Sequence, residues 1–246
     1  VEPGDPILVQ ELNEIESFEA TIMSEESRLN LNAILIRGDL ELLADLFLYW
    51  GVPEAETVIL AEAMRDWVDS DHEITGFGAE FGEYADLGKV DLPYNRQFAN
   101  LSEVELVRGI DLLNQARPNW KASFTLWGNG LLDLSDADPE IIAVVCQCSL
   151  SQAENFIQQR RGLDQLENTE DDEIYQSVDE VLELLGSSSA ERDLIRSRVT
   201  IRGQTTRLVS VGRVDRVAVE QVVVLQNRSQ RPTLIDTQTR RLDEQL

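Results

Sequence analysis

The hydrophobic period of the chain changes twice. Phe18 to Met23 reads as a short strand, and Glu25 to Asn32 alternates Leu29 and Leu31 with polar residues before giving way to helix. From Asp39 onward Leu40, Leu43, Phe47 and Trp50 recur three or four apart, with Leu42, Leu46 and Tyr49 widening the stripe, the pattern of one buried helix face. Gly51 ends that helix, and Pro53 suits the first position of the next, along which Val58, Ile59, Ala61, Met64 and Trp67 face one way. Three serines precede a glutamate by three residues, as in a capping box: Ser102/Glu105, Ser151/Glu154 and Ser177/Glu180. Each predicted helix is closed by a glycine suited to a left-handed cap: Gly109, Gly162 and Gly186. Asp138-Pro139 predicts a short helix to about Gln147, which with 151–161 makes a tight helical hairpin; Ala122 to Trp127 is a candidate strand. Past Arg192 the period falls to two. Ile195, Val199 and Ile201, then Leu208 to Val219, then Val222 to Leu225 are β-branched runs punctuated by Gly203, Gly212 and Asn227. The expected order is therefore strand, many helices, then antiparallel strands with arginines on their wet face, an α+β class.

Between the second helix and the later ones lies DWVDSDHEITGFGAEFGEY, Asp66 to Tyr84. Asp66, Asp69, Asp71, Glu73, Glu80 and Glu83 crowd this stretch with Gly76, Gly78 and Gly82 between them, and no lysine or arginine falls inside it. Carboxylates so placed repel one another, spread into water, or take up a hard, oxygen-seeking cation such as calcium. Asp69 and Asp71, two apart, can converge in a loop, Glu80 can return to them, and the glycines free the backbone to turn. Glu83 and Asp66 are outer candidates, Asp66 at a helix end beside Trp67 where it also reads as polar surface. The register of an EF-hand is absent. A solvated acidic loop is the alternative reading.

Charge narrows the function classes. The formal net charge is −25, which disfavours nucleic acid and anionic membrane as partners, since both need a basic face. The balance is uneven: residues 1–189 carry 10 Lys+Arg against 39 Asp+Glu, residues 190–246 carry 11 against 7, a break that suggests two structural units. Cys146 and Cys148 are too close for good disulfide geometry and read as small buried hydrophobes. His72 is the one histidine and lies in the acidic loop, so a histidine-dependent nucleophilic site has a single, exposed candidate. No apolar run approaches the ~18 residues that span a bilayer. With Arg160 and Arg161 outnumbered by neighbouring acids, the helical hairpin is a packing module rather than a phosphate reader.

In order along the chain stand Glu25, Glu26, Asn30 and Asn32; Asp66, Trp67, Asp69 and Asp71; Gly78, Ala79, Glu80 and Tyr84; Ser102, Glu105, Leu106, Arg108 and Gly109. This succession resembles general secretion pathway protein K, the large minor pseudopilin of bacterial type II secretion. One departure is Asp133-Leu134-Ser135-Asp136-Ala137, where the family often shows Asn-x-Asn-Thr-Ala. The resemblance implies a pilin-like antiparallel β-sheet split by a large all-helical insertion. On that reading 1–29 is the N-terminal strand region, 30–189 an insertion of two small helical subdomains, and 190–246 the C-terminal strands. It further implies a structural subunit, not an enzyme, that caps the tip of the pseudopilus at the periplasmic face of the bacterial inner membrane. Its expected partners are other minor pseudopilins and secreted substrate proteins, with no nucleic acid, and its expected anchor is a hydrophobic N-terminal helix outside this sequence. Calcium at Asp69, Asp71 and Glu80, with Glu83 and Asp66 beside them, is the expected cofactor. The rival readings are a calcium-dependent binding module unrelated to pili and a hydrolase with an acidic cleft.

Overall fold

The computed structural model describes residues 8–242 except 14–15, 168, 188–190 and 228–230. Pro3 and Pro6, which open the sequence, lie outside the described residues. A five-stranded antiparallel sheet is built from β1 (Leu8–Asn13), β2 (Glu16–Ser24), β7 (Thr205–Val214), β8 (Val217–Gln226) and β9 (Thr233–Leu242), in the order β1-β2-β7-β8-β9. The early strand expected at 18–23 therefore pairs with the late β-branched runs, Glu16 facing Val214 and Ser24 facing Thr206. Among the described residues every helix falls in sequence between these two paired strands, so the fold is α+β with the sheet interrupted by a helical block.

The chain divides into two compact units, residues 28–130 and the remainder. The first holds β3 (Leu29–Asn30), α1 (Leu31–Arg37), α2 (Leu40–Tyr49), α3 (Glu54–Val68), α4 (Phe81–Asp86), α5 (Ile110–Ala116) and β4 (Phe124–Thr125), which pairs in parallel with β3. Its core includes Leu31, Leu35, Leu43, Leu46, Phe47, Leu60, Met64, Trp67, Trp120 and Phe124; of the residues that the three-and-four spacing marked, Leu43, Leu46, Phe47, Met64 and Trp67 are buried, whereas Tyr49 and Val58 are exposed. The second holds the sheet together with β5 (Leu132–Asp133), α6 (Pro139–Val145), α7 (Leu150–Arg160), α8 (Val178–Leu184), α9 (Arg192–Arg196) and β6 (Val199–Thr200), which pairs in parallel with β5. Here Val209, Val211, Val222 and Val224 are buried from the sheet, Ile142, Phe156 and Leu182 from the helices, and Leu134 from the turn after β5. The charge break near residue 190 thus falls inside one compact unit. Past it Arg192 and Arg196 lie in α9, while Arg207, Arg213, Arg240 and Arg241 lie on strands, where Arg213 pairs with Glu19 at 2.6 Å and Arg240 with Glu220 at 2.7 Å.

Several local expectations shift by a residue or two. The capping box that opens α7 is Ser149/Gln152, not Ser151/Glu154; Ser149 starts the turn because its φ and ψ are extended and its Oγ accepts from Gln152 N. Ser102 makes no cap bond; residues 103–106 form a 3-10 turn, and Asn100 Oδ1 accepts from Glu103 N instead. Pro53 precedes α3 as its N-cap rather than occupying its first turn. Ile195, read as part of a strand, is buried from the helix α9. Ser177 caps α8 as expected. Gly109, Gly162 and Gly186 all have positive φ. Among the described residues no helix is long and apolar enough to cross a membrane. Cys146 is buried and Cys148 half-buried, and neither is in a disulfide; burial pushes the Cys146 thiol up.

Candidate metal centre

The acidic stretch leaves the C-terminal end of α3 and returns as α4. Asp69 caps α3, with its backbone N–H donating to Arg65 O, and Glu80 stands at the start of α4. Between them the chain is pulled onto α3. Thr75 N donates to Asp66 Oδ1 at 2.9 Å and Phe77 N to Glu62 Oε2 at 2.7 Å. Gly78 allows the closest approach: a Cβ there would lie 2.2 Å from Asp66 Oδ2 and 3.0 Å from the Glu62 carbonyl carbon. Gly76 has φ +56, and a Cβ on it would meet Glu62 Oε1 at 2.2 Å. Both glycines therefore owe their place to contact with α3 more than to carbonyls offered outward.

Trp67, wholly buried, is the anvil beneath the loop. Tyr94 and Tyr84 meet it edge-on at 5.3 and 5.8 Å, and Phe98 stacks on it at 5.8 Å. Tyr84 Oη accepts from Arg108 N, and Arg108 Nη1 donates to Gly78 O at 3.0 Å, fixing the loop's far side. Asn95 closes it: Nδ2 donates to Asp71 O at 2.9 Å and lies 2.8 Å from His72 Nδ1. His72 itself is exposed. Sequence reasoning did not find Glu62 or Asn95. Glu62 carries no signal beyond being a helical acid, whereas Asn95 follows Pro93-Tyr94 at a turn where its φ is +49.

This scaffold brings three of the five expected ligands together. One oxygen each from Asp69, Asp71 and Glu80 lie within 4.8 Å of one another. Glu83 is placed otherwise: its Oε2 accepts from Glu80 N at 3.0 Å and so caps α4. Asp66 is fully buried, which corrects its reading as surface; it lies inside α3 and its carboxylate holds the loop rather than facing water.

The electrostatics of the trio are those of a site short of positive charge. Glu80 is 4% exposed, and burial first, then the charges of Asp66, Asp69 and Asp71, raise its carboxyl to about 7. Burial and Asp71 also raise Asp69, against the pull of Arg65, whose Nε stands 3.5 Å from Asp69 Oδ2. Asp69 Oδ1 and both oxygens of Glu80 are buried with no hydrogen-bond donor. Orphaned carboxylate oxygens of this kind are costly, and a hard divalent cation meets that cost with the ligands it prefers. The donors present, all oxygen, suit such an ion.

Two comparisons bear on the whole chain. Residues 27–118 match the sequence model of the family described as type II secretion system (T2SS), protein K. A chain in the crystal structure of the GspK-GspI-GspJ complex from the enterotoxigenic Escherichia coli type 2 secretion system superposes with a TM-score of 0.76, at 17% identity, over 96% of this chain and 83% of that one. No curated protein sequence matches. The sequence match spans the acidic loop, Asn30 and Asn32 before it and Ser102 to Gly109 after it, with Glu25 and Glu26 just outside. Over residues 27–118 the chain is thus homologous to the K-type minor pseudopilins of type II secretion, and its likeness in fold to a chain of that complex runs nearly end to end.

Proposed function

We propose that this protein is a structural minor pseudopilin of a type II secretion system that caps the pseudopilus tip and binds calcium at Asp69, Asp71 and Glu80. The observation that carries the structural role is the pairing of β2 with β7 across the whole helical block, together with the family match inside that block. A pilin-like sheet bearing so bulky an insertion blocks addition of a further subunit above it, which favours the tip. The partners on this reading are other minor pseudopilins, of the kind named with the matched complex, and secreted substrate proteins beyond them. The workplace is the periplasmic face of the inner membrane, with a hydrophobic N-terminal helix as anchor. Residues 30–189 are then the insertion, 1–29 and 190–246 the pilin-like part. The buried, donorless oxygens of Asp69 and Glu80 support calcium; magnesium suits the site less well, since it demands a tighter octahedron and keeps its waters.

The test has two arms. Co-expression with the I- and J-type subunits should recover a stoichiometric complex; a chain that stays alone while those two pair with each other overturns the structural role. Melting in calcium, magnesium and chelator, for the parent and Asp71→Ala, tests the metal. Calcium at about a hundredfold over Kd should stabilise by about 2.7 kcal/mol, and the variant should not respond. Equal melting in all conditions removes calcium from the reading and leaves the pseudopilin role untouched.

A further inference from the structure

Far along the chain from the acidic loop, the unit that contains the sheet buries a second group of carboxylates. Glu25 and Glu26, each 1% exposed, follow β2; Asp133, 4% exposed, ends β5, and Asp136 follows it. Backbone N–H groups meet part of the cost of burial. Gly203 N donates to Asp133 Oδ2 at 2.9 Å and Ser135 N to Asp133 Oδ1 at 3.1 Å. Gln204 N donates to Glu26 Oε2 at 2.5 Å, and Ser24 N to Asp136 Oδ2 at 2.5 Å. Arg207 Nη1 stands 3.6 Å from Glu25 Oε2.

A separate observation points to a ligand. Ser24 is 5% exposed, and its Oγ is buried without a hydrogen-bond partner. That hydroxyl is aimed at the carboxylates. A Cβ on Gly203 would lie 2.4 Å from Ser24 Oγ, 2.4 Å from Asp133 Oδ2 and 2.9 Å from Glu26 Oε2, so the three oxygens crowd one point beside the glycine. A serine hydroxyl among carboxylates ordinarily donates to one of them. Here it does not, and what remains is a set of oxygen lone pairs drawn from two stretches of chain far apart in sequence, residues 24–26 and Asp133.

We propose that Ser24 Oγ, Asp133 and Glu26 hold a hard cation, a second site that shares no residue with the acidic loop. Two carboxylates and a hydroxyl, with no nitrogen or sulfur among the named donors, favour an alkaline-earth ion over zinc or copper. The ion ties the end of β2 to the end of β5, and its two carboxylates in turn accept from Gly203 N and Gln204 N in the turn that leads into β7, where the interrupted sheet is closed. The site is independent of the loop site and of the pseudopilin role.

Manganese(II) is a suitable probe, because it broadens the amide signals of residues near it. The full chain carrying Asp71→Ala, which weakens the loop site, is labelled with nitrogen-15 and titrated with manganese. The amide signals of Ser24, Ser135 and Gly203 should broaden at low manganese and recover when calcium is added in excess. The further change Ser24→Ala, which leaves the Ser24 N to Asp136 bond in place, should abolish that broadening while the rest of the spectrum stays as it was. Asp133→Asn should do the same; if it does not fold, Ser24→Ala carries the test alone. Signals of Ser24 and Gly203 that stay sharp in excess manganese, or that broaden equally in Ser24→Ala, overturn the proposal and leave the spot to a buried water.

Discussion

At the scale of single residues, the acidic loop turns on Glu80. Its folded-state carboxyl titrates at about 7 against an ordinary 4.5, so without metal the folded chain holds that proton more tightly than the unfolded chain does. The sign follows: the contribution of Glu80 to metal-free stability is fully present below 4.5 and is lost as pH rises through 7. Calcium competes for the same oxygens, so the calcium-induced rise in Tm should grow over that window, and chelated protein should melt higher at pH 5.5 than at 7.5. Glu80→Gln should flatten the pH dependence of the chelated protein and abolish the calcium response. Melting curves at several pH values with and without chelator check both. Gly78→Ala drives a methyl into Asp66 and should cost about 1–3 kcal/mol, with weaker calcium binding, measured by calorimetry. Asp69, Asp71 and Glu80 were legible in the sequence because uncompensated acids two apart, with a third returning after glycines, are a local pattern. The burial of Asp66 was not, because it depends on the loop folding back over α3, which no local spacing records.

At the scale of elements, the helices were legible where an apolar stripe or a capping serine marked them, as the stripe did for α2 and α3 and Ser177 for α8. They were missed where tertiary contact alone makes them. α5 is seven residues and begins at Gly109 in a left-handed conformation; α9 is five residues and was absorbed into the β-branched run that follows it. β1 went unseen because its alternation is brief and lies among prolines and acids, and what makes it a strand is its pairing with β2. One side chain joins the elements of the helical hairpin. Arg160, 5% exposed and the last residue of α7, donates to Leu134 O at 2.8 Å, Ala137 O at 3.1 Å and Glu167 Oε1 at 2.9 Å. It therefore holds the turn into α6 against the end of α7. Arg160→Met keeps much of the packing but leaves the two carbonyls and the carboxylate without it, and should destabilise by about 3 kcal/mol. Urea unfolding measures this, and the calcium response, seated in the other compact unit, should survive at native urea concentrations.

At the scale of the whole molecule, the order of strand, helices and strands was visible in the changes of period, and the joining of the early strand to the late ones in one sheet came with the resemblance. The division at 28 and 130 was not visible, since neither the charge break nor any linker composition marks it. The net charge of −25 predicts a chain whose calcium affinity falls with ionic strength; titrations at low and high sodium chloride should differ in that direction. The sheet has one more consequence, and it concerns time. Glu16 must find Val214 and Ser24 must find Thr206, partners separated by most of the chain, whereas residues 28–130 make their unit from one uninterrupted segment. Loop closure across so long an intervening stretch is slow unless that stretch has already become short by folding. As the chain emerges from a ribosome or a translocation pore, β2 appears early with only β1 beside it, and the edge that β7 will take stays open to the wrong strand. The contiguous unit can form during the wait and draw the two ends of its segment toward each other. Refolding should accordingly be biphasic, with tryptophan fluorescence of the Trp67 cluster recovering before the sheet's circular dichroism, and β2 should be the last strand to gain protection from hydrogen exchange.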